Sequence, residues 1–165
     1  MQELLDRPLQ YNSQCGEDRW LAEHCKLPEH GVFVDVGAGH PTLLSNTYWL
    51  EQRGWDGICI DADPRCIEAL KAERKRVVQA AVSDVEEQTE FHLSAEPVYS
   101  GLGEVILQED SLPVRTERLN TILEREGIDT IDLLSVDVEG TELDVLKSLG
   151  RHRPQYIIVE HNTNG

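Results

Sequence analysis

The stretch Val32-Phe33-Val34-Asp35-Val36-Gly37-Ala38-Gly39 decides the fold of this chain. A short β-branched run that stops on two glycines reads as a strand feeding a tight turn. The turn can pass close to a ligand, because neither glycine carries a Cβ. Working outward, residues 45–53 read as a helix ended by Gly54, and residues 57–61 as a second apolar run. Asp63-Pro64 is a strong helix start, with Asp63 as N-cap and Pro64 at the first helical position. Ile67 and Leu70 carry the helical spacing on toward Lys75. Further strand-like runs follow at 77–82, 131–136 and 155–160. Residues 89–93 read as a strand pairing back with its neighbour, and 97–113 as a long loop with few periodic apolar residues. Thr116 can cap a helix carrying Leu119, Ile122 and Leu123, closed by Gly127, and a last helix covers 141–149. A short helix at 18–25 precedes the first run, behind a poorly anchored arm at 1–14. Strands alternating with helices predict an α/β fold: a mostly parallel sheet with helices on both faces, one domain over residues 1–165.

The chain has 165 residues, the size of one domain. Fifteen Lys and Arg against 31 Asp and Glu give a net charge of −16. That field repels phosphate backbones and anionic lipid, so neither nucleic acid nor membrane is an expected partner. No apolar stretch approaches the ~20 residues of a membrane span, and no secretory pattern opens the chain. Cys15, Cys25, Cys59 and Cys66 show neither CxxC spacing nor a histidine pattern for zinc. They read as reduced thiols of a cytoplasmic protein. Trp49 and Trp55 read as core, and Trp20 as packing or as a shield over a ligand. Lys71, Arg74, Lys75 and Arg76 read as a solvated helix end.

In parallel α/β sheets ligands bind beyond the carboxyl ends of the strands, where the strand order switches. Those ends carry Asp35, then Asp61 and Asp63, then Ser83-Asp84, then Asp137 and Glu139, then Glu160. Five acidic ends in succession predict a binding rim. Asp61 lies 22 residues past Gly39, where a carboxylate can hydrogen-bond ribose hydroxyls. A dinucleotide fingerprint needs a third glycine, but Gly37-Ala38-Gly39-His40-Pro41-Thr42 lacks it. Asp35 beside the turn would repel a pyrophosphate and tolerate a sulfonium or an ammonium. These features favour a nucleoside with a cationic group, and make an NAD-dependent oxidoreductase the weaker alternative.

The run from Val34 to Gly39 resembles motif I of S-adenosylmethionine-dependent methyltransferases. Four segments together resemble the FkbM family of O-methyltransferases: residues 13–18, 32–41, 53–61 and 133–142. The last reads Leu133-Leu134-Ser135-Val136-Asp137-Val138-Glu139-Gly140-Thr141-Glu142, with Ser135 where that family commonly has Lys. The resemblance implies a Rossmann-like class I methyltransferase sheet and methyl transfer from S-adenosylmethionine to a hydroxyl of a small molecule or sugar. Carried over by position, Asp35, Gly37, Ala38 and Gly39 would cradle the methionine part of the cofactor. Asp61 would hold the ribose, with Ala62 beside the adenine and Ser83 and Asp84 at its edge. Asp137 would close the pocket, and Gln14 and Glu17 would cover it from the arm.

Methyl transfer to an alcohol is an in-line displacement that needs a base or a metal. His161 is the best-placed imidazole for a base and His40 the second; Asp137 and Glu139 are further catalytic candidates. Asp137, Glu139, Glu160 and Asn162 form an oxygen set that could hold Mg²⁺. In the alternative Asp137 binds the cofactor and Glu139 orients the next helix, and no metal ligand is assigned. The loop Ser100-Gly101-Leu102-Gly103 is a candidate lid. Sheets of the implied type have seven strands, whereas this sequence ends after the fifth run, so the last two are expected to be missing. The Tyr156–Val159 run would then be an exposed edge that a homo-oligomer could cover. The remaining alternative is a cofactor-binding module impaired in catalysis.

Overall fold

The structure, a computed structural model, describes residues 10–102 and 108–160. In chain order its elements are α1 (Glu17–His24), β1 (Val32–Val36), α2 (Tyr48–Gln52), β2 (Asp56–Asp61), α3 (Pro64–Glu73), β3 (Val77–Gln79), β4 (Ala81–Val82) and β5 (Gln88–Ser94). A 3₁₀ turn at Pro97–Tyr99, β6 (Gln108–Glu117), α4 (Leu119–Arg125), β7 (Leu133–Val136), α5 (Glu142–Lys147) and β8 (Tyr156–Val159) complete them.

The main sheet has the order β3-β2-β1-β7-β8, and every pairing in it is parallel. Alternate side chains build two cores. Val34, Val36, Ile58, Ile60, Leu134 and Val136 face α4 and α5, while Phe33, Cys59 and Leu133 face α1, α2 and α3. Trp49 and Trp55 lie in the second core, as expected. Trp20 is exposed and stacks on His24. The layering is the expected Rossmann-like α/β arrangement. No helix among the described residues is long and apolar enough to cross a membrane. At the sheet edge β8 leaves Ile157 and Val159 exposed.

Several elements depart from the sequence-based expectation, each because a distant partner outweighs local pattern. The run 77–82 is divided: β3 pairs with β2, a ladder that Ala80 N–H extends to the Asp61 carbonyl at 2.9 Å, and from Ala81 on β4 pairs with β6. Among the described residues, six of the seventeen in the expected loop 97–113 are strand. Residues 108–113 open β6, whose antiparallel register with β5 runs from Gln88↔Arg115 to Ser94↔Gln108. Its polar, half-exposed sequence carries no strand signal, since strand formation follows the neighbour more than intrinsic preference. Thr116 lies in β6 rather than at a helix start, and its hydroxyl donates to the Val85 carbonyl at 2.5 Å. The amides that open α4 are satisfied from across the fold: Leu119 N–H donates to Ser148 Oγ and Asn120 N–H to the Ser148 carbonyl, both at 3.0 Å.

The helix expected at 45–53 covers only Tyr48–Gln52, because Ser45 Oγ accepts the N–H groups of Thr47 and Tyr48 in a preceding turn. Asp63 caps α3 as expected, accepting from Arg65 N–H at 2.8 Å. Asn12 and Ser13, in the arm read as poorly anchored, are held by the buried Asp18 carboxylate, which accepts both backbone N–H groups and the Ser13 hydroxyl. Asn12 also donates to the Thr42 carbonyl, so this segment lies along the loop after β1. Residues 1–9 of that arm lie outside the described residues.

Candidate active site

β1 and β7 are neighbours, but the chain leaves their carboxyl ends in different directions, and a cleft opens between the two turns. Gly37 and Gly39 have positive φ, 77° and 55°. A Cβ on Gly37 would lie 1.6 Å from the Asp137 carbonyl oxygen. The first glycine is therefore demanded by the packing of one turn on the other, a reason the sequence does not display. The N–H groups of Gly37 and Ala38 both donate to the Ile60 carbonyl, at 2.9 and 3.2 Å, which ties this turn to the end of β2. Glu139, in the opposite turn, is a non-glycine residue at φ 55°, a strained placement of the kind found at sites.

The cleft has two chambers that share Gly37, Gly39 and Asp137. The first encloses about 480 Å³, open mouth included, and sets Asp61 against an apolar wall of Ala62, Ala81, Val82, Phe91 and Leu102. Thr141 Oγ1 lines it, buried and without a hydrogen-bond partner. The second encloses about 570 Å³ and is polar, with Gln14, His40, Asn46, Ser135, Glu139 and Glu160 among its lining. Ser100 and Leu102 of the expected lid line the first chamber, and Gly101 lies against Val138 and Glu139. Arg65 holds this segment by donating to Ser100 Oγ and the Ser94 carbonyl. Gly103 lies outside the described residues.

Asp61 ends β2 with its carboxylate buried. Oδ2 accepts Gly39 N–H at 2.8 Å and Oδ1 accepts Asp63 N–H at 2.9 Å. Burial pushes this carboxyl up to about 6, against the pull of those two donors. Each oxygen keeps a second lone pair for a ligand hydroxyl. Asp35 is buried and lines the second chamber beside its strand partner Ser135. It accepts from Thr47 Oγ1 at 2.6 Å, and Thr47 Oγ1 in turn accepts from Arg74 Nη2 at 2.9 Å. Burial raises the Asp35 carboxyl, with the Arg74 charge and the Thr47 and Ser135 hydroxyls opposing. Arg74, read as part of a solvated helix end, is thus buried. It pairs with Glu51 at 2.8 Å and packs over Phe33 and Tyr48, because Pro41, Ser45 and Thr47 of the loop after β1 and Glu51 of α2 give it four acceptors between the two rings.

Asp137, Glu139 and Glu160 each bring one oxygen within 4.8 Å of the others'. Burial raises the Asp137 carboxyl strongly, and the Glu160 carboxyl hydrogen-bonded to it and the Glu139 charge add to the rise. Two ionised carboxylates cannot hydrogen-bond, and Glu160 Oε2 is then buried without a donor. A proton kept on Asp137 supplies the donor that this hydrogen bond needs. Glu139 is also raised, by burial and then by the charges of Glu160 and Glu142. Three oxygens so placed form a donor set of the type hard cations take.

The structure brings Gln14, Asp35, Gly37, Ala38, Gly39, Asp61, Ala62, Asp137 and Glu139 to the cleft. It does not bring Ser83 and Asp84 into its lining. The change of partner after Ala80 turns Ser83 toward β6, where its N–H donates to the Glu117 carbonyl, and Asp84 lies 3.9 Å from Lys147. Glu17 does not line it either; its carboxylate accepts Cys15 N–H. His161 and Asn162 lie outside the described residues. Thr141, Asn46 and Thr47 were missed, and only the run of small polar residues at 45–47 hinted at the last two.

A parallel sheet in this order, with a glycine turn after β1 and a buried acid ending β2, defines a Rossmann-like fold of the methyltransferase type. The family model described as the Methyltransferase FkbM domain matches residues 35–165, and the chain belongs to that family. Searches of curated proteins and of solved structures find no match. The family match makes the protein a methyltransferase and sets the oxidoreductase alternative aside.

Proposed function

We propose that this methyltransferase uses S-adenosylmethionine and methylates a hydroxyl of a small molecule or sugar. The observation that carries the reading is the Asp61 carboxylate, which clamps the glycine turn through Gly39 N–H and still faces the first chamber. The residues fit the cofactor. Asp61 suits ribose hydroxyls, the apolar wall around Ala62 and Phe91 suits adenine, and the orphaned Thr141 Oγ1 offers the base edge a partner. The carboxyl groups of Asp35, Asp137, Glu139 and Glu160 make the second chamber acidic, which suits a sulfonium and an ammonium and disfavours phosphate.

When bound, the cofactor supplies an electrophilic methyl group on a cationic sulfur. The chain's part is alignment and proton handling. The acidic group at Asp137, Glu139 and Glu160 lies where the acceptor hydroxyl would enter, and one of its ionised oxygens takes the hydroxyl proton. The same three oxygens support a second reading in which Asp137, Glu139 and Glu160 would hold Mg²⁺, whose Lewis acidity would be available to the acceptor hydroxyl. Activity insensitive to a chelator removes that second reading.

Calorimetry with S-adenosylmethionine and S-adenosylhomocysteine, beside an Asp61→Ala variant of unchanged fold, tests the proposal. Micromolar binding that the variant weakens at least tenfold is expected; a folded wild-type chain that binds neither ligand defeats it. A cytoplasmic setting, and self-association through the β8 edge, belong to the same proposal. The edge strand's exposed Ile157 and Val159 support the latter, and a sedimentation profile that stays monomeric at high concentration counts against it.

A further inference from the structure

We infer that His40 is a cofactor-binding donor: its Nε2–H holds the carboxylate at the amino-acid end of S-adenosylmethionine. The inference rests on the cofactor reading above. Thr42 N–H and Leu43 N–H both donate to His40 Nδ1, at 3.2 and 3.0 Å. A backbone N–H can only donate, so Nδ1 carries no hydrogen and the ring proton sits on Nε2. This excludes the role of base that the sequence suggested for His40. The nitrogen with a free lone pair is taken up by the loop, and the other already carries a proton.

The half-buried ring lines the second chamber. That chamber is walled by Asp35, Asp137, Glu139 and Glu160, with no Lys or Arg among its described lining residues. The amino-acid end of the cofactor brings an ammonium, which these acids favour, and a carboxylate, which they repel. A carboxylate can stay there only if a hydrogen-bond donor meets it. Asn46 Nδ2 gives one N–H to Ser135 Oγ at 3.2 Å, Ser45 Oγ accepts from Tyr48 N–H and Arg74, and Gln14 and Tyr99 add further polar groups to the lining. Among these donors His40 Nε2–H belongs to the ring that the loop fixes through Thr42 and Leu43 N–H. It stands directly after Gly39, next to the turn on which the amino-acid end would lie.

The test pairs two ligands with His40→Asn. Asparagine can keep an acceptor for the N–H groups of Thr42 and Leu43 through its side-chain oxygen, as in an Asx turn, and it lacks the more distant Nε2–H. The ligands are S-adenosylhomocysteine and 5′-methylthioadenosine; the second has the same nucleoside and thioether but no carboxylate. Calorimetry should show His40→Asn weakening S-adenosylhomocysteine by about ten- to a hundredfold, the loss of one charge-assisted hydrogen bond. Binding of 5′-methylthioadenosine should stay within about twofold of wild type. Equal weakening of both ligands would assign His40 a structural role and overturn the inference, as would unchanged binding of S-adenosylhomocysteine. In either case wild-type binding leaves the cofactor reading standing. A folded wild-type chain that binds neither ligand overturns the cofactor reading and the inference together. The comparison of ligands within one variant removes any loss of folded protein from the result.

Discussion

Gly37→Ala should destabilise the protein far beyond the ordinary penalty for a side chain at positive φ. The methyl would start 1.6 Å from the Asp137 carbonyl oxygen and 2.6 Å from its carbon. A carbon–oxygen contact settles at about 3.3 Å or more, so the Asp137 peptide must retreat by roughly 1.7 Å. It is not free to do so: Asp137 N–H donates to the Val36 carbonyl at 2.9 Å, at the end of the β1–β7 ladder. The left-handed conformation costs about 1–2 kcal/mol, the forced shift about 1–3 and the lost hydrogen bond about 1, so about 3–6 in all. Gly127→Ala is the control. It has φ 70° with nothing within 4 Å of the added methyl, and should cost about 1–2 kcal/mol. The difference, about 2–4 kcal/mol, corresponds to a gap of roughly 4–16 °C in Tm for a chain of this size. Urea unfolding followed by circular dichroism measures it, provided the denaturant slope stays constant. Unfolding of Gly37→Ala within about 0.5 kcal/mol of Gly127→Ala would show that the Asp137 peptide does not confine residue 37. The same shift displaces Asp137, which lines both chambers, so the folded fraction of Gly37→Ala should also lose S-adenosylhomocysteine.

Two further outcomes follow from the buried charges. Asp61 is raised to about 6 in the fold from an ordinary 3.8, so the folded state binds its proton more tightly than the unfolded chain. Its contribution to stability is fully present below about pH 4 and lost as pH rises through 6, a cost of about 3 kcal/mol at neutral pH. Asp35, Asp137 and Glu139 are shifted in the same direction. The ligand-free protein should therefore resist urea better at pH 5.5 than at pH 7.5, and Asp61→Ala should flatten that slope; stability that climbs with pH across this window would contradict the assignment. Arg74→Met should cost about 3–5 kcal/mol, since it strands Glu51 and removes the charge that faces Asp35. Arg74→Lys should recover little, because one ammonium cannot reach Glu51, Thr47, Ser45 and the Pro41 carbonyl together. A lysine variant as stable as wild type would show that charge alone is enough there.

What the sequence determined by itself is what neighbouring residues encode. The apolar runs at β1, β2, β7 and β8, the Asp63-Pro64 start of α3 and the glycine turn each lie within a few residues, so propensity and spacing reveal them. The resemblance in four segments gave the family, which the match over residues 35–165 bears out. Asp61 and Asp137 were legible as rim residues for the same reason, since each directly follows or ends an apolar run. Only the tertiary structure decided matters that join distant residues. Ser83 and Asp84 left the site because Ala81–Val82 found hydrogen-bond partners in β6, more than 30 residues away. Arg74 became a buried anchor because Glu51 and Thr47 were waiting across α3, and no local pattern tells that charge from the solvated ones beside it. The hydrogen bond between Asp137 and Glu160 needs β7 and β8 in register, and the tautomer of His40 needs the loop closed over its own ring. Burial and charge pairing are properties of the assembled fold, so they appear only once the strands have chosen their neighbours.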